Sequence, residues 1–90
     1  MYKVTLSHMQ VQGVLNANDY VDMLDKIDDM KQWCRDNFGK GHNGKRFLWK
    51  SCINWYEYYD EVNRFYDICE YPVFMFDKEE HATWFSIRWG

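Results

Sequence analysis

The chain carries a run, Gly39-Lys40-Gly41-His42-Asn43-Gly44-Lys45-Arg46, whose backbone N–H groups and cationic side chains suit an anion. Lys40, His42, Lys45 and Arg46 are therefore candidate anion-binding residues, with a phosphate or a nucleotide signal as the ligand class. The run lacks the spacing and the Ser/Thr of a P-loop, and it follows a helical pattern where a phosphate loop would precede one. Loops are often simply polar, so a solvated connection competes with this reading.

Three cysteines and three histidines raise the question of a metal or a nucleophile. Cys34, Cys52 and Cys69 include no C-x-x-C pair, and no H-x-x-x-H spacing occurs. Zinc held by these thiols and His81 is thus not expected, and no metal or cofactor is assigned. A Cys–His nucleophile pair would require the fold to bring the two together, with Cys52 and His42 as the residues to test. No ordered acid, base or nucleophile pattern is present, so no catalytic residue is named and the chain is read as not an enzyme.

The densest chemistry is aromatic. Rings make up 20% of the residues, and Trp49, Trp55, Tyr56, Tyr58, Tyr59 and Tyr66 crowd the middle of the chain with Phe65. In a strand, half of them must point away from any helix layer. Exposed ring clusters mark interfaces, and Tyr and Trp favour their centres, so these six residues are the candidate partner-binding set. Base stacking on a sheet is the sharper rival, but Val73-Phe74-Met75-Phe76 lacks the glycines and basic flanks of RNA-recognition strands. A net charge of −3 further argues against binding through phosphate neutralisation. Asp22, Asp25 and Asp29 share one face of a helical segment that also holds Lys26 and Lys31. A solvated face is the default there, ahead of a basic partner or nucleic-acid mimicry.

The elements that must position these groups can be read from periodicity. Tyr2, Val4 and Leu6 alternate with polar neighbours, as in a half-buried strand. Tyr20, Met23, Leu24, Ile27, Met30, Cys34 and Phe38 recur at helical spacing, with Asn18 or Asp19 as cap and Gly39 for the terminal positive-φ position. Residues 53–69 fit both a strand and a helical stripe. The expectation is a strand from Arg46, a turn at residues 60–63 and a second strand through Phe65. Val73-Phe74-Met75-Phe76 reads as a further strand, because Pro72 excludes a helix interior. Asp77 and Glu80 have capping-box spacing before a short helix at residues 78–84 that turns Ala82 and Phe85 inward. Phe85, Ile87 and Trp89 then form a last strand or continue that helix.

Ninety residues make one domain, 1–90, of α+β class: a small antiparallel sheet with two helices on one face in a split βαβ, ferredoxin-like pattern. No apolar run is long enough to span a bilayer, and the N-terminus lacks a signal-peptide core. A cytoplasmic protein with reduced thiols and no membrane role is expected.

Phe74-x-Phe76-Asp77 followed by His81-Ala82-Thr83-Trp84-Phe85-x-Ile87-Arg88-Trp89 resembles the close of small tailed-bacteriophage accessory proteins. Tyr2-x-Val4 and Trp33-Cys34-x-x-Asn37-Phe38-Gly39 are similar too, whereas residues 51–69 look like an insertion. The resemblance implies an infected bacterium as the setting. It also implies a bacterial host or immune protein as partner, bound and inhibited or modulated by occlusion. It carries over no catalytic residue. Self-association through the same rings is a further expectation. A protein that sequesters a nucleotide signal through Lys40, His42, Lys45 and Arg46 is the alternative, and a small enzyme the second.

Overall fold

The computed structural model describes residues 2–13, 16–39 and 48–90. Their order is β1 (Tyr2–Thr5), a 3-10 turn (Ser7–Met9), β2 (Val11–Gln12), α1 (Ala17–Phe38), β3 (Trp49–Asp60), β4 (Phe65–Phe76) and α2 (Glu79–Trp89). All pairings are antiparallel: β4 is central, with β3 along one edge and β1 and β2 in tandem along the other.

The expected small α+β domain, with an antiparallel sheet and two helices, is therefore present. The finer ferredoxin-like order is not met. β4 separates β1 from β3, as one split βαβ unit requires, but residues 85–89 continue α2 and supply no last strand. The expected hairpin is found with its turn at residues 61–64, yet the strands anticipated at Phe65 and at Val73 are one continuous β4.

Pro72 explains how that strand tolerates a proline at its centre. A proline cannot donate to the ladder, so in sheets it is confined to edges and breaks. The Leu6 N–H donates to the Pro72 carbonyl at 3.0 Å, while the Leu6 carbonyl accepts from Met9 N–H at 2.9 Å in the 3-10 turn. The donor that Pro72 lacks is thus needed by no one, because β1 leaves the sheet there. The pairing resumes at β2 in a shifted register, Val11 opposite Glu70.

One apolar cluster holds these elements together. α1 buries Met23, Ile27, Met30, Cys34 and Phe38, spaced by three and four residues as one helix face requires. It ends at Gly39, whose φ of 84° only glycine adopts at no steric cost and whose N–H reaches the Arg35 carbonyl at 3.0 Å. Asn16 occupies the N-cap position without a side-chain capping bond, and Lys78 does so for α2, so neither Asn18, Asp19 nor Asp77 caps as expected. Phe85 of α2 lies over Phe74 and Phe76 of β4 at centroid distances of 4.6 and 5.2 Å, and Trp33 of α1 meets Phe85 edge-on at 6.1 Å. Both helices cover the same face of the sheet, the one bearing Val4, Trp49, Phe74 and Phe76.

Candidate functional site

β3 and β4 are each twelve residues long, about 40 Å at strand rise, and the helices cover only their root. No residue from 50 to 73 belongs to the apolar cluster or packs against it. The far half of the hairpin projects as an arm and gives the molecule extents of 44 × 26 × 22 Å. Its radius of gyration, 14.8 Å, exceeds the roughly 12 Å of a compact domain of this length.

The arm is apolar on both sides. On the face continuous with the core, Ile53, Trp55 and Tyr59 of β3 lie in register with Pro72, Glu70 and Tyr66 of β4. Trp55 is 62% exposed and Tyr66 69%, and the Tyr59 and Tyr66 rings meet edge-on at 5.2 Å. On the opposite face Tyr56 lies 6.4 Å from Tyr58 and 6.2 Å from Tyr71. The Tyr56 hydroxyl donates to Gln10 Oε1 at 3.2 Å, and the Tyr58 hydroxyl to Asp67 Oδ2 at 3.4 Å. Partial desolvation, then the carboxylates of Asp67 and Asp60, push the Tyr58 phenol above its ordinary pKa, so it remains a donor. Exposed Phe65, which the sequence already grouped with these rings, and Ile68 and Val62, which it did not, extend the apolar surface to the tip. Ile68 follows Tyr66 by two residues on one face of β4, a strand signal that was available, whereas Val62 lies in the turn and carried none.

The tip is built rather than loose. The Asp60 carboxylate accepts the Val62 and Asn63 backbone N–H groups at 2.9 and 3.1 Å and the Asn63 amide at 3.0 Å. These bonds, those from Asn63 first, hold its pKa below the usual carboxylate value. The Arg64 N–H closes onto the Asp60 carbonyl at 2.7 Å, with Arg64 in the left-handed region at φ 57°.

Of the six partner-binding candidates, Trp55, Tyr56, Tyr59 and Tyr66 are exposed and Tyr58 is half-buried. Trp49 is corrected: it is 4% exposed, its indole N–H donates to the Gly39 carbonyl at 2.9 Å, and its ring lies beside Phe74 in the core. Trp49 and Trp55 point to the same face, but six residues of strand, about 20 Å, separate the covered root from the bare arm. Lys40, His42, Lys45 and Arg46 lie outside the described residues.

Among the described residues no three His, Cys, Asp or Glu side chains are grouped to hold a metal ion. Cys34 is sealed in the core, where burial pushes its thiol up to about 12, Cys69 is buried on the other sheet face, and Cys52 is exposed. His81 stacks on Phe38 at 4.1 Å. The α1 aspartates are all exposed. Asp19, Asp22 and Asp29 line a concavity of about 480 Å³ together with Lys26 and Arg88, so its charge has no single sign. No described helix is long and apolar enough to cross a membrane.

No protein-family profile, curated protein or solved structure matches the chain.

Proposed function

We propose that this chain is a binding protein of bacteriophage-accessory type that occludes a surface of a bacterial host or defence protein, using the β3–β4 arm as its contact element. The carrying observation is the arm itself: Trp55, Tyr56, Tyr59 and Tyr66 stand exposed on both faces of the far half of the hairpin, beyond the residues that join the apolar cluster. A two-stranded ribbon is marginal alone, and exposed apolar rings cost solubility, so both features fit a surface that a partner covers. Rings also supply large contact area at little rotamer cost, which suits anchors at the centre of an interface. The setting is the cytoplasm of the infected cell, where three free thiols persist. Binding, with no chemical turnover, is the whole of the activity.

The test is a pull-down from bacterial lysate with the tagged chain. One stoichiometric protein is expected to be retained, and Trp55→Ala with Tyr66→Ala to release it while circular dichroism is unchanged. Retention that survives both substitutions would move the contact elsewhere. Tight nucleotide binding that Lys45→Ala and Arg46→Ala abolish would replace the reading with sequestration of a nucleotide signal.

A further inference from the structure

We propose that the outer edge of β3 pairs antiparallel with β3 of a second copy of this chain, about a two-fold axis at Trp55. This goes beyond the reading of a host partner and stands or falls separately from it.

Among the described residues only β4 lies beside β3, and none of them pairs with the other edge of this twelve-residue strand. Long, flat, apolar edges invite pairing with another chain unless proline, charge or a bulge blunts them. β3 contains no proline, and Ile53, Trp55 and Tyr59 alternate along it with a single intervening acid, Glu57.

The register follows from hydrogen-bond geometry and charge. Asp77 N–H donates to the Leu48 carbonyl at 2.9 Å, one step beyond the Trp49–Phe76 pair, so the even-numbered residues of β3 turn their backbone groups toward β4. Ser51, Ile53, Trp55, Glu57 and Tyr59 consequently turn theirs outward. An antiparallel copy must match outward residue with outward residue, which restricts the pairing to even sums of residue numbers. Centring on Glu57 would set two carboxylates face to face. Centring on Trp55 sets indole against indole, Ile53 against Glu57, and Ser51 against Tyr59. On the other face it brings Lys50 opposite Asp60 twice, once on each side of the axis. The neighbouring even registers set Lys50 opposite Tyr58 or past the end of the strand. Asp60 is a fixed anion, since its turn holds it with three hydrogen bonds. The two hairpins would then form one continuous sheet and cover part of the exposed ring surface.

Light scattering after size exclusion on the full chain should give twice the chain mass at high concentration. Lys50→Asp should weaken association by about tenfold, since it sets two like-charge pairs across the edge. Asp60→Lys should do the same, and mixing the two variants should restore a heterodimer, because each new charge then meets its opposite. Glu57→Pro removes an outward N–H that β4 does not use, so it should abolish the dimer and leave circular dichroism unchanged. In a Cys52→Ser background, Trp55→Cys should oxidise to a covalent dimer, because residues paired at such a site are about 5.5 Å apart at Cα. Asn63→Cys should not. A single chain mass at every concentration up to about 1 mM would overturn the proposal. So would cross-linking at 55 no faster than at 63.

Discussion

At the root of the hairpin Trp49, Phe74 and Phe76 are closed over by Phe38 of α1 and Phe85 of α2, while farther along the same strands Trp55, Tyr59 and Tyr66 stand in water. The two regions have the same period, the same strand register and nearly the same side-chain chemistry. Only the reach of the helices separates them. α2 packs over the end of the sheet where β1 begins and β4 ends, α1 runs from there as far as β2, and neither extends over the tip. Ring content therefore does not decide burial in this chain; distance from the helix layer does. The root gains its stability from burial, whereas the arm is held by ladder hydrogen bonds and a capped turn, which leaves its rings available.

Truncation should expose the difference most sharply. Phe85→Ala, which empties a site enclosed by Phe74, Phe76 and Trp33, is expected to cost about 3–5 kcal/mol in urea denaturation. Trp55→Ala should cost less than about 1 kcal/mol, since surface substitutions away from special features rarely cost more. Similar losses at the two sites would break the division into root and arm.

Thiol labelling sharpens it further. At pH 8 Cys52 should react readily, and Cys34, with its thiol pushed up to about 12 by burial, should resist by about a thousandfold until the chain unfolds. Fast labelling of Cys34 by a thiol reagent would mean that the root opens as easily as the arm.

Gly13 tests how the root grips β4. Its N–H donates to the Ile68 carbonyl at 2.7 Å, its φ is 38°, and a Cβ there would run into the Asp67 carboxylate. Gly13→Ala should destabilise by about 2 kcal/mol in thermal or urea melts, through strain and displacement of Asp67.

The smallest effect concerns the tip. The Asp60 pKa is depressed in the folded chain, so the stability its ionised form contributes is present above the unfolded value, near 4. That stability is lost as pH falls through the lower folded value. Asp60→Asn should flatten stability against pH below about 4 and leave the profile at neutral pH unaltered in slope. Chemical-shift titration of Asp60 reads the same quantity, and a midpoint at or above the ordinary aspartate value would sink the turn assignment.

Much of this was legible in the chain itself. The three- and four-residue spacing from Met23 to Phe38, stopped by Gly39, specified α1, because a helix of that composition can bury only one face. Asp60 and Asn63 marked the turn between two ring-rich strands. Less was legible where two periods coincide: Phe85, Ile87 and Trp89 alternate like a strand yet sit in α2, and the ladder at Pro72 continues only because the 3-10 turn at Ser7–Met9 removes the need for its donor.

Local pattern, then, set the α1 stripe, the two-residue alternation of the hairpin and the surplus of rings, since those depend on side-chain spacing along a single element. Which rings are sealed and which are bare was decided by tertiary packing. Trp49 and Trp55 are interchangeable to any local rule, and only the end of the helix layer, a fact about how far separate elements overlap in space, tells them apart.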